Sequence, residues 1–140
     1  MRILGLDVGD KRIGVAVSDP GRSLARSLQV IERGPKGQDL EAIGQLVRDL
    51  DVTRIVVGYP RSLDGTIGEQ AKRVERYARE LERGLGVPVV LWDERLSTVA
   101  AERLMRDTGR NDARGIDAVA AAVILQNYLD YLMNMSSEEG

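Results

Sequence analysis

Residues Gly5–Asp19 dictate how this chain must begin its fold. An apolar run ends on Asp7, a short turn carries Gly9, Lys11 and Arg12, and a second apolar run follows at once. Two strands joined by so tight a turn run antiparallel. Gly14, Ala16 and Ser18 fall at alternate positions of the second run, so these small residues share one face. A face without bulk lets something large come close, a helix or a polymer backbone. Asp7 stands in an otherwise apolar run, and a buried carboxylate needs a metal, a cation or a strong donor. An aspartate that merely opens a hairpin turn is equally common, so the choice between the two rests on the remaining residues.

Further along, the pattern predicts strands at about 2–7, 12–18 and 24–31 and a helix at about 38–50, where Leu40, Ile43, Leu46, Val47 and Leu50 recur at helical spacing. Arg54–Gly58 reads as a short buried strand. Thr66 and Glu69 have the spacing of a capping box for a helix over about 67–84, stopped near Gly84 or Gly86. Val87–Asp93 reads as another buried strand, Ser97 or Thr98 can cap a helix to about 107, and a last helix runs from about 113 to 133. Residues 1–135 therefore read as one domain, with 136–140 an acidic tail expected to be disordered. Three strands in meander followed by alternating helices and strands give an α/β fold with a five-stranded mixed sheet and helices on both faces. This is the order of ribonuclease-H-like folds.

The chain has no cysteine and no histidine. That removes thiolate chemistry, imidazole bases, Ser-His triads and His-bound zinc. Any metal must be held by oxygen, which favours Mg2+ or Mn2+. No apolar run is long enough to span a membrane, no signal-peptide pattern opens the chain, and the lack of cysteine suits a reducing cytoplasm. A net charge of −2 argues against indiscriminate nucleic-acid binding. Arginine nevertheless far outnumbers lysine, and its planar fork suits phosphate.

Asp7 closes the first strand, and Glu94 closes the fifth after Val89–Trp92. Carboxyl ends of parallel strands share one sheet edge, where ligands bind. With the fourth strand between them, their backbones would lie ~10 Å apart, and Gly58 puts no side chain in the gap. Asp117 has Ala120, Ala121 and Ile124 as helical neighbours, which turns it inward. Taken alone, an acid at a helix start can simply complement the helix dipole. Three inward carboxylates would repel one another unless cations hold them, and oxygen-only clusters of this kind perform two-metal phosphoryl transfer. Asp93 should point to the opposite face from Glu94. Asp10 and Asp19 are nearby carboxylates with weaker placement. Lys11, Arg12, Arg61 and Arg95 are the cations expected to touch nucleic acid. Arg61 lies in a glycine-bearing loop able to approach a phosphate backbone. Arg103, Arg106, Arg110 and Arg114 alternate with acids and read as a solvated face.

The residues resemble the YqgF/RuvX family of ribonuclease-H-like nucleases in four blocks that span nearly the whole chain. They are Gly5–Asp19; Val57–Pro60 through Asp64–Thr66 to Ala71; Asp93–Thr98 with Ala101 and Leu104; and Ile116–Ala118 with Ala120, Ala121 and Ile124–Gln126. The resemblance implies an acidic triad on Asp7, Glu94 and Asp117, which would serve as catalytic residues and as metal ligands. It also implies action on nucleic acid, as a processing nuclease for 16S rRNA precursors or as a Holliday junction resolvase. Asp10 stands where such proteins usually carry a small hydroxyl residue, and Arg61–Leu63 departs from the usual run.

A metal-dependent nuclease acting on RNA, or on branched or single-stranded DNA, is the leading expectation. A junction resolvase would need a homodimer for two symmetric cuts, and no long exposed apolar helix face signals one, which favours RNA or flexible single strands. The alternatives are a kinase-like phosphotransferase, since Asp7–Gly9 also resembles a phosphate turn, and a non-catalytic scaffold binding ribosomal or transcription partners.

Overall fold

The computed structural model describes residues 1–34, 37–59, 68–93 and 113–139, with the backbone course alone at 113–118 and 136–139. Strands β1 (Arg2–Val8), β2 (Arg12–Ser18) and β3 (Ala25–Glu32) come first. Helix α1 (Gln38–Asp49), strand β4 (Val52–Tyr59), helix α2 (Glu69–Leu85), strand β5 (Val89–Asp93) and helix α3 (Ala113–Glu139) follow. The sheet order is β3-β2-β1-β4-β5. β1, β2 and β3 form the antiparallel meander, and β4 and β5 run parallel to β1. This is the five-stranded mixed sheet expected from the element order, with β4 between β1 and β5. The helix expected near 98–107 lies outside the described residues.

Several boundaries differ from the pattern, among them that of β5, which starts at Val89 rather than Val87 and is half-buried along its length. β4 starts at Val52 rather than Arg54, because Val52 pairs with Arg2 at the sheet's lower end and is buried there. α3 continues to Glu139, past the residue where apolar spacing ends. The N-cap of α2 is Gly68, in extended backbone and without a side-chain cap, so Glu69 is the first helical residue rather than the third. A capping box needs the acid at the third position, so Glu69 cannot complete one with Thr66, which itself lies outside the described residues. Gly86 ends α2 in the left-handed region at φ 68°, its N–H bonded to the Glu82 carbonyl at 3.0 Å, as glycine at that position favours.

Side chains alternate across each strand and build two cores. Leu4, Leu6, Val8, Ile13, Val15, Val17, Ile55 and Val57 face α1 and α2, where they meet Ile43, Val74, Tyr77 and Leu81. Ile3, Ala16 and Val56 face α3, against Ala121, Ala122, Ile124, Leu125, Tyr128 and Leu129. The small-residue face of β2 is therefore the seat of α3. Gly5 pairs with Ala16 across β1 and β2, and a Cβ at Gly5 would stand 2.7 Å from Leu125 Cβ and 3.1 Å from the Ala121 carbonyl. Gln126, buried in α3, accepts from the Ala25 N–H at 2.9 Å and donates to the Ser23 carbonyl at 3.1 Å. One side chain thus fastens the edge strand β3 to the helix.

The other face carries a buried polar network. Tyr77 Oη donates to Asp39 Oδ2 at 2.6 Å. Arg33 Nε lies 3.7 Å from the same carboxylate oxygen, and its guanidinium sits 4.8 Å from the Tyr77 ring centroid. Burial and then the Asp39 carboxylate hold the Tyr77 hydroxyl well above the usual phenol range, so it remains the donor. The network ties the end of β3 to α1 and α2.

Two substitutions test these contacts. Gly5→Ala should lower the unfolding free energy by about 1–3 kcal/mol, read as a lower urea midpoint at unchanged slope. Unchanged stability would contradict the close approach of α3. Tyr77→Phe keeps the ring and removes one donor from a buried carboxylate, at an expected cost of about 1–3 kcal/mol. Because the folded-state pKa of Tyr77 is raised, this advantage is full below the unfolded phenol pKa of about 10 and declines as pH rises beyond it. Urea titrations of both proteins at neutral and strongly alkaline pH check the size and the sign.

Candidate active site

Asp7 lies at the carboxyl end of β1, half-buried, in a row whose neighbours are unusual. It pairs with Gly14 on β2. The β1–β4 register runs to Leu6 and Val57, and one step further along Gly58 stands beside Asp7. Gly58 in turn pairs with Trp92 on β5. Residues in register on neighbouring strands share a face, so the row reads Gly14, Asp7, Gly58, Trp92. Bare glycine backbone flanks the carboxylate on both sides.

Asp7 has the parity of Ile3 and Gly5, and that face belongs to α3. The helix crosses β1 with Ala121 and Leu125 over Gly5. Further along the helix, Tyr128 Oη accepts from Arg54 at 2.8 Å, and Arg54 is paired with Ile3. α3 therefore runs opposite to β1, from the carboxyl edge of the sheet towards its other end. From Ala121 back to residue 117 is four helical residues, about 6 Å. From Gly5 to Asp7 is two strand residues, about 7 Å. The helix backbone at Asp117 is thus carried to the level of Asp7.

The other sequence-predicted site residues divide clearly. Glu94 directly follows β5 and lies outside the described residues, as do Arg61, Arg95 and the arginines of 103–110. Of Asp117 only the backbone is described. Among the described residues no three acidic side chains gather as a metal ion requires, a set that leaves out Glu94 and the Asp117 side chain. Lys11 is exposed in the β1–β2 turn, and Arg12 opens β2 half-buried opposite Glu32. Asp93 has the parity of Val89 and Leu91, on the face packed by α2.

Two acids prove to have other duties. Asp10 is exposed and pairs with Arg73 at 3.3 Å. Asp19 sits beyond Ser18, at the far end of β2 from Asp7. There it accepts from the Ser23 N–H at 2.7 Å, the Leu24 N–H at 3.0 Å and the Ser23 hydroxyl at 3.1 Å. Those backbone donors, Leu24 first, hold its carboxyl below the usual range. Asp19 organises the β2–β3 turn and is no neighbour of Asp7.

Sequence reasoning missed Arg33. Its N–H donates to the Lys11 carbonyl at 2.9 Å and its Nη1 to the Gly9 carbonyl at 3.1 Å, so it clasps the turn that follows Asp7. It also missed Tyr59, whose hydroxyl bonds Glu75 and so joins the end of β4 to α2. Arg33 follows a strand in a glycine-rich loop, a context that signals nothing about its target. Tyr128 meets Trp92 edge-on at 5.4 Å and Tyr131 meets it at 5.2 Å, which makes these rings packing elements.

The RuvX family profile, described as Holliday junction resolvase, matches residues 1–131. A protein of Thermoanaerobacter pseudethanolicus named "Putative pre-16S rRNA nuclease" is 44% identical over 138 residues, covering 96% of this chain and 99% of its own. One of the same name from Carboxydothermus hydrogenoformans is 48% identical over 134 residues, covering 94% and 97%. Among solved structures, T. thermophilus RuvC in complex with Holliday junction substrate superposes with a TM-score of 0.63 at 15% identity, over 96% of each chain. The fowlpox virus Holliday junction resolvase gives 0.56 at 9% identity, over 94% of this chain and 99% of that one. These likenesses identify the fold as ribonuclease-H-like. Together with a profile match over nearly its whole length, they establish that this chain belongs to the RuvX family.

Proposed function

We infer that this protein is a metal-dependent nuclease that hydrolyses phosphodiester bonds in nucleic acid, with 16S rRNA precursors as its substrate class, acting in the cytoplasm. The observation that carries the reading is Asp7 between Gly14 and Gly58 at the carboxyl edge of β1, with the backbone of Asp117 at its level and Glu94 next in sequence after β5. No helix among the described residues is long and apolar enough to cross a membrane. The relatives named for pre-16S rRNA favour RNA over branched DNA.

The chemistry of the donors fits a hard cation. Asp7 is a half-buried carboxylate in a chain with no histidine or cysteine, and hard divalent ions take oxygen ligands. Asp7, Glu94 and Asp117 would hold Mg2+ or Mn2+. When bound, such cations polarise the phosphoryl oxygens and lower the pKa of the attacking water. The glycines beside Asp7 put no side chain between the carboxylate and its neighbouring strands. Lys11 and Arg12, beside Asp7, would meet the strand as it enters, as would Arg61 and Arg95.

Asp7→Asn keeps the shape and removes the charge. Cleavage of labelled RNA should fall at least about a hundredfold, while stability in metal-free buffer holds or rises. Undiminished cleavage would sink the assignment. Activity should appear with magnesium or manganese, be weak with calcium and vanish in EDTA. A zinc-specific activity, or full turnover in EDTA, would contradict an oxygen-only centre. Running single-stranded RNA beside a four-way DNA junction, with sedimentation of the same sample, tests the substrate. A stable dimer that cuts junctions symmetrically and ignores RNA would overturn the choice of RNA.

A further inference from the structure

A cleft of about 190 Å³ opens between Arg33, just after β3, and α2, lined by Arg33, Arg73, Arg76, Tyr77 and Glu80. Three guanidinium groups on one cleft are unusual in a chain of net charge −2. We propose that this cleft is a second phosphate subsite, which holds the nucleic-acid backbone one or two nucleotides away from the bond opposite Asp7. The proposal rests on the nuclease reading and extends it to a surface that reading does not use.

Location is the first support. Arg33 bonds the carbonyls of Gly9 and Lys11, and Gly9 is two residues beyond Asp7, about 7 Å along an extended chain. Arg73 reaches the same turn from α2 through Asp10. The cleft therefore adjoins the turn that follows Asp7, on the α2 side of the sheet, and a strand reaches it from Asp7 by passing around that turn.

The state of the three arginines is the second support. The Arg33 guanidinium is held by Asp39, by the Tyr77 ring and by the Gly9 carbonyl. Its ordering cost is met in the free protein, and preorganised groups bind more tightly. The Arg73–Asp10 pair is more than half exposed on both sides, and such pairs contribute little. Arg73 can exchange that carboxylate for a phosphate at small cost. Arg76 is exposed, one helical turn on from Arg73, with no ion pair among the described residues. Arginine forks match phosphate oxygens in pairs. Glu80 closes the far end of the cleft and repels an anion there, so the strand should enter from the turn.

The test measures binding of a labelled single-stranded RNA oligonucleotide in EDTA, where cleavage does not intrude, over a range of salt. Arg73→Gln, Arg76→Gln, the double variant and Glu80→Gln are compared with the unaltered chain, with thermal melts to confirm folding. The double variant should bind at least about tenfold more weakly. Its log–log salt slope should be shallower by about 0.7 for each phosphate that it no longer neutralises. Glu80→Gln should bind more tightly. In cleavage assays the double variant should raise KM and leave kcat within about twofold, because uniform binding is what it removes. Unchanged affinity and slope in the double variant, or no measurable binding by the unaltered chain, would overturn the subsite. The two readings fail separately. If Asp7→Asn abolishes cleavage while the arginine variants bind normally, only the subsite falls. If the arginine variants bind weakly while Asp7→Asn cleaves normally, the nuclease reading falls and the cleft stands as a phosphate site.

Discussion

The seating of α3 directly on the backbone of β1 is the constraint on which the rest of this structure depends. Gly5 and Ala16 form a floor without side chains of any size, and Ala121 and Leu125 drop onto it. Close approach maximises dispersion contact and excludes water from a face that carries Ile3 and Val56. It also fixes the height of the helix over the sheet. The same rigid seat lets Gln126 reach the edge strand and Tyr128 reach Arg54. Asp7 stands two residues further along the same strand face, so its surroundings inherit this height.

The opposite face is organised around charge rather than size. Asp39 is buried, yet it keeps a hydroxyl donor and a guanidinium partner, which is how an interior carboxylate is tolerated. Arg33 carries the connection outward to the turn behind Asp7. Helices α1 and α2 thus hold the turn by hydrogen bonds and an ion pair, while α3 holds the strand before it by packing. The edge on which Asp7 lies is supported from both layers of the molecule.

Much of this was legible in the residues, and for identifiable reasons. Periodicities of two and of 3.6 separate strands from helices without tertiary knowledge, so the element order followed, and the place of β4 in the sheet came from the likeness of that order to ribonuclease-H-like folds. Asp7 was conspicuous because a carboxylate in an apolar run has no cheap explanation, and Gly14, Ala16 and Ser18 announced a close neighbour. The start of β4 was hidden because Val52 is recruited by its pairing with Arg2, a contact absent from local sequence. The Thr66–Glu69 spacing misled because a glycine two residues later took the cap. Asp19 read as a carboxylate near the site, of weaker placement, because turn acids and ligand acids share a composition. The Arg33–Asp39–Tyr77 network was invisible: Tyr77 and Asp39 are 38 residues apart, and nothing local to either marks the other.

The opposed course of α3 and β1 has a consequence for how such a chain can change length over evolutionary time. Helix and strand are commensurate here, because one turn of helix and two residues of strand advance by nearly the same distance. A one-residue insertion between Asp117 and Leu125 would break that match, turning everything before it by about 100° and displacing it by about 1.5 Å. The backbone at residue 117 would leave the level of Asp7 although every residue were retained. Beyond Leu129 no such match exists, and residues can be gained or lost there without touching the edge where Asp7 stands. Insertions and deletions should therefore be confined to the distal half of this helix and to the loops, while the span from Asp117 to Leu125 behaves as a ruler of fixed length.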